Sequence, residues 1–175
     1  MKTKQLTHAA LAAGFITVAA QIVIPLGLVP FTLQVFALYL ISFIYDFKTA
    51  LLSVVLYQVM GFIGLPVFNN FQSGFFTPTI GFVFGFSGVV LINNIFKDKL
   101  PYPIPFILSS LYLYTLGLLG LHLVLYFGFQ NTLKLSDSII KYALVFIPSD
   151  FIAYTLAHKI YQKVSSNLKV QTHTL

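Results

Sequence analysis

This chain has no arginine, no glutamate and no cysteine, and charged residues make up only 8% of its 175 positions. Soluble domains carry roughly a quarter of charged residues, so the shortage argues against a water-soluble fold. Without cysteine there is neither a disulfide nor thiolate chemistry, and the four histidines are scattered with no second ligand at metal spacing, so no metal and no cofactor is expected. No glycine-rich stretch runs into Lys-Ser or Lys-Thr, which excludes a phosphate-binding loop and ATP hydrolysis by this chain. A nucleophile elbow, a zinc-protease helix and a paired acid and base are also missing, so the chain does not read as an enzyme. It lacks the internal duplication of large secondary transporters and any low-complexity tract.

What is present is apolar. Hydrophobic residues make up 58% of the chain, and its mean hydropathy is +0.89. Short charged or proline-marked breaks divide it into six apolar segments, about 6–24, 31–45, 50–68, 78–96, 104–127 and 139–158. Most approach the ~20 residues a helix needs to cross the hydrocarbon of a bilayer. An open sheet edge cannot be satisfied in lipid, so the segments are expected to be helices. The fold class is therefore an all-α integral membrane protein, a six-helix transmembrane bundle forming one membrane domain over residues 1–175. The second segment would reach only about 22 Å as a helix, so it tilts little or recruits residues from the 25–30 stretch. The first segment is not expected to be a cleaved signal, since more membrane follows it at once.

Ten lysines face four aspartates, and their placement is topological. With the amino terminus in the cytoplasm, eight lysines (2, 4, 48, 97, 99, 159, 163 and 169) fall inside and two, Lys134 and Lys141, outside. The positive-inside bias then gives a multi-pass plasma-membrane protein with both termini cytoplasmic, its partner the lipid bilayer and not nucleic acid.

Among polar residues, Asp150 is the one carboxylate well inside an apolar run. An aspartate at mid-helix costs about 2.5–3.5 kcal/mol on insertion scales and normally faces a cavity or a partner. Pro148 lacks the NH that the Leu144 carbonyl would use in a continuous helix, so a broken turn beside the carboxylate is expected. The outer connection 69–77 is uncharged, polar and aromatic together, suited to fold over a site, and it carries Asn70. Gln21, Gln34, Tyr57 and Gln58 each read first as helix-to-helix glue, and His122 as a packing residue ahead of a proton relay. Small residues recur at Ala9, Ala13, Thr17 and Ala20 and at Gly81, Gly85 and Gly88, serving either packing within the bundle or contact with another subunit.

In order along the chain, Pro25-Leu26-Gly27, Val29-Pro30-Phe31-Thr32-Leu33-Gln34, Leu56-Tyr57, Gly61 to Phe68, Pro78 to Phe82 with Gly85-Phe86, and Ile147-Pro148-Ser149-Asp150 resemble the BioY family. These are the biotin-specific substrate-binding (S) components of energy-coupling factor (ECF) transporters. The resemblance implies a six-helix ECF S-component bundle that captures biotin from the extracytoplasmic side. It also implies a transmembrane coupling protein and two ABC ATPases as partners. A solitary biotin facilitator or proton-linked carrier, and a purely structural subunit, are the competing readings. By position in the family pattern, Asn70 and Asp150 are the implied contacts to the ureido ring, with Gln34, Phe71, Gly74 and Phe82 around them. Ala9 and Ala13 match the stripe with which such subunits dock on the coupling protein. The chain departs from the family where Ser149 precedes Asp150 and where Ala153 replaces a lysine, so no basic partner for the biotin carboxylate is visible. Hydroxyl and backbone donors near Ser73, Thr77 and Thr79, or water at the outer mouth, are left to hold it.

Overall fold

The computed structural model describes residues 3–128 and 133–172, with side chains to residue 166. Part of the connection expected at 128–138, Lys2 and the side chain of Lys169 lie outside the described residues. Seven helical stretches follow in order: α1 (Thr3–Gln21), α2 (Gln34–Ile44), α3 (Phe47–Phe62), α4 (Ile80–Phe96), α5 (Ile104–Gly128), α6 (Leu135–Ile139) and α7 (Ile147–Thr172). A π-helical turn, Ile140–Leu144, joins α6 to α7, so Leu135 to Ser166 runs as one long helical rod. That rod and α5 are each long and apolar enough to cross a membrane.

The ends of the elements differ from the expected spans for local reasons. The first apolar run stops being helical at Gln21, and Val23–Ile24 (β1) pairs antiparallel with Phe31–Thr32 (β2), with Val23 opposite Thr32. Prolines at 25 and 30 explain this, because the residue preceding each is pushed to extended backbone. The hairpin takes residues from both neighbouring spans, so α2 keeps 11 residues and reaches only about 16 Å. The third run likewise leaves helix at Phe62, its last residues 63–68 joining the loop to α4. At the opposite end α3 starts early: the Asp46 carboxylate accepts from the Lys48 and Thr49 amides and, at 2.6 Å, from the Thr49 hydroxyl. This cap, led by the Thr49 hydroxyl, holds the Asp46 carboxyl below the usual aspartate range.

Close helix contact is written in glycine and alanine. A Cβ on Gly81 would lie 2.3 Å from the Leu116 carbonyl oxygen, and one on Gly120 would lie 2.4 Å from the Gly81 Cα. The Gly81, Gly85 and Gly88 stripe therefore packs inside the bundle, against α5. Ala9 and Ala13 are also interior, 0% and 1% exposed, on the face of α1 that meets the rest of the chain. This corrects their expected role as a docking stripe, since a partner cannot touch them while α1 stays packed. On the opposite face Ala10 and Gly14 are exposed, and Gly14 has open space where a side chain would stand. Gln58 bridges α3 and α4, donating to the Val83 carbonyl at 2.7 Å and accepting from Ser87 at 3.0 Å.

Candidate functional site

Because α2 stops short and the hairpin folds over its start, a cavity is left beneath the hairpin at the end of the bundle opposite Lys4, Lys48 and Lys97. It holds about 520 Å³ of unfilled space with its open mouth included. The hairpin contributes Val29 to Thr32, and α2 contributes Gln34 and Val35. Asn69 and Thr79 come from the loop, Phe82, Val83 and Phe86 from α4, Leu113 and Tyr114 from α5, and Phe146 and Asp150 from the α7 rod. Larger grooves lie on the outer surface of the helices. One, of about 820 Å³ between α5 and the π-helical turn, is mostly apolar.

Asp150 is the charged residue of the cavity, 4% exposed. Its position follows from the interruption upstream. The Val145 amide donates five residues back to Ile140, the Phe146 amide three back to Ala143, and regular helix resumes with the Asp150 amide donating to Phe146. Regular helix thus resumes as α7, which puts Asp150 in its first turn, where the helix dipole favours a carboxylate. Pro148 also falls in that first turn, where its missing NH removes no helical bond, so the expected break is a π-helical turn and not a proline kink. One carboxylate oxygen accepts from the Tyr114 hydroxyl at 2.5 Å. The other has no hydrogen-bond partner among the described residues.

Across the cavity stands Asn69, 3% exposed. Its side-chain oxygen accepts from the Thr79 hydroxyl at 3.2 Å, which orients the amide NH2 and leaves it without a partner among the described residues. The remaining polar lining is a relay. Thr32 donates to Gln34 Oε1 at 2.8 Å, and Gln34 Nε2 donates to the Tyr57 hydroxyl at 2.6 Å. The walls between these groups are apolar, with Phe31 and Phe146 stacked at 6.4 Å. Phe82 is held at its place because Gly117 opposite has no side chain: a Cβ there would lie 2.3 Å from the ring.

Of the residues singled out in the sequence, Gln34, Phe82 and Asp150 meet in this cavity. Asn70, Phe71 and Gly74 do not. Asn70 is exposed and adopts left-handed backbone, φ 54°, as does Phe71, φ 56°. Gln21 holds this bend: its Oε1 accepts from the Phe71 amide at 3.1 Å and its Nε2 donates to the Phe68 carbonyl at 3.0 Å. The tight turn reverses the expected assignment of the Asn-Asn pair, so that the first asparagine points inward and the second away. Tyr114 and Asn69 were not singled out, although a tyrosine in an apolar helix and an asparagine beside the chosen one were both visible. His122 does not line the cavity, and its Nε2 is buried without a hydrogen bond among the described residues.

Comparison with known proteins gives a consistent match. Residues 1–170 match the BioY family. A Pyrococcus horikoshii protein named a probable biotin transporter BioY is 30% identical over 170 residues, covering 95% of this chain and 99% of that one. The biotin transporter BioY of Thermotoga maritima is 40% identical over 99 residues, 55% of this chain and 59% of its own. The structure superposes on that of the S-component for biotin from an ECF-type ABC transporter with a TM-score of 0.70 and 25% identity, covering 95% of each chain. The match runs from the first helix through the rod that carries Asp150, and the chain belongs to the BioY family.

Proposed function

We propose that this chain captures biotin in the cavity beneath the hairpin and serves as the S component of an ECF-type uptake system. It is a transporter component and not an enzyme. The observation that carries the site is the complementary pair left without partners among the described residues in a mostly apolar space: a carboxylate oxygen on Asp150 and the amide NH2 on Asn69. A ureido ring offers two NH donors and one carbonyl acceptor. Asp150 accepts from an NH through a charge-assisted bond, and Asn69 donates to the carbonyl. Tyr114 and Thr79 are positioning residues that fix the two groups, and Phe82, Phe86 and Phe31 offer flat apolar contact to the fused rings and valeryl chain. Among the described residues the cavity lining holds no lysine, so the acid tail points to the mouth, near Thr77 and Thr79, whose hydroxyls lie 3.5 Å apart.

Energy for release into the cell comes from a coupling protein and its ATPases, since the chain has no phosphate-binding loop of its own. The exposed Ala10 and Gly14 face of α1 is the surface offered to that partner. Biotin retention by the purified protein tests the site. Asp150→Ala should weaken binding by about tenfold to a hundredfold and Asn69→Ala by about three- to tenfold, the range for charged and neutral hydrogen bonds. Unchanged affinity in both variants would remove the cavity from consideration.

A further inference from the structure

We infer that the connection between α3 and α4, residues 63–79, is seated in the lipid leaflet at its end of the bundle and anchors one wall of the cavity to the membrane. Five large apolar side chains stand exposed along it: Ile63, Leu65, Phe71, Phe75 and Phe76, from 45% to 80% exposed. No charged residue occurs anywhere between Lys48 and Lys97. Left in water, such side chains forgo the gain from burial, and exposed apolar patches of this kind mark interaction surfaces.

The occupant follows from what the patch continues. The outward face of α3 and α4 carries exposed Val55, Val59 and Phe84, the surface these helices turn to lipid. From Phe84 an aromatic ribbon runs into the loop: Phe84 lies 5.1 Å from Phe62, and Phe62 stacks on Phe75 at 4.5 Å. The loop is also held in this outward presentation. The Gly74 amide donates to the Gly61 carbonyl at 2.8 Å, and Gln21 clamps the Phe68 and Phe71 backbone. Beyond α5, at the same end of the bundle, the chain carries Lys134 and Asp137 and has the composition of a water-facing segment. Exposed Phe and Leu side chains such as these are suited to burial at the boundary between head groups and acyl chains. Since Asn69 and Thr79 sit within the same connection and both line the cavity, the leaflet holds part of the site in place.

The chain contains no tryptophan, so one introduced residue is an unambiguous probe. Phe76→Trp and Phe71→Trp, each reconstituted in phosphatidylcholine vesicles, are to be compared with Ser136→Trp by quenching with shallow brominated lipid and with aqueous iodide. The two loop variants should be quenched by the brominated lipid and be roughly threefold or more less accessible to iodide than Ser136→Trp, as interfacial burial requires. Iodide quenching equal to that of Ser136→Trp, with no effect of the lipid bromines, would overturn the assignment. So would protection that disappears when the protein is diluted in the bilayer, which would mean that a second copy covers the loop. Two separate positions keep the test decisive if one variant fails to fold.

Discussion

Asn70 and Asn69 differ in what a substitution should reveal. Asn70 occupies left-handed backbone, which costs an ordinary L-residue about 1–2 kcal/mol and which asparagine and glycine tolerate. If Asn70 acts only through its backbone, Asn70→Gly keeps biotin affinity while Asn70→Ala lowers thermal stability. Isothermal titration and a melting curve on each variant separate the two effects, and loss of affinity in Asn70→Gly would return the side chain to the site. The sequence could not decide between neighbouring asparagines, because the choice rests on a turn whose geometry is set by Gln21, some fifty residues earlier. Asp150, in contrast, was legible, since a lone carboxylate in an apolar run must find donors within the fold. The absence of a lysine at Ala153 has a further consequence. Biotin and its neutral carboxamide should bind within about tenfold of each other, because among the described residues no charged donor lines the cavity to distinguish their tails. Competition of the two for the same site measures this, and a preference for the acid of several hundredfold would point to a cation recruited from elsewhere in the chain.

At the scale of elements, the order of the main helices was readable from apolar runs, but their ends were not. Prolines 25 and 30 were visible as breaks, yet the pairing of Val23–Ile24 with Phe31–Thr32 is a tertiary event, and it is what shortens α2 and opens the cavity. The glycine stripe of α4 was likewise visible as a packing surface without an assigned partner. The structure assigns it to α5, where Gly81 and Gly120 meet backbone to backbone. Gly120→Leu should force the two helices apart at the level of Phe82 and destabilise the protein by about 1–3 kcal/mol or more, the usual range for overpacking. Biotin binding should weaken with it, because Phe82 and Leu113 line the site from these two helices. A lowered melting temperature in detergent checks the first effect. Gly14→Leu, on the open face of α1, should leave the melting temperature within a degree or two of the parent, since nothing lies within 4 Å of its missing side chain.

For the whole molecule, the central issue is which end of the bundle faces out. Folding gathers Lys4, Lys48, Lys97 and Lys159 at one end, while the hairpin, the 63–79 connection and the cavity lie at the other. Lys97 adds a structural reason for this clustering, donating to the Ser42 and Phe43 carbonyls at 2.8 and 3.2 Å at the carboxyl end of α2. A cation there satisfies helix-end carbonyls, and the positive-inside rule would set its lysine neighbours at the cytoplasmic face. On the positive-inside rule we propose that the cavity opens to the exterior, as capture from outside requires. The absence of native cysteine makes this directly testable. In intact cells Ser136→Cys should react with a membrane-impermeant maleimide, whereas Ser166→Cys, on the same helical rod, should react only after permeabilisation. Both serines are exposed, so a difference in labelling reports sidedness and not burial. The opposite pattern would place the cavity inside the cell and make capture from outside by this chain untenable.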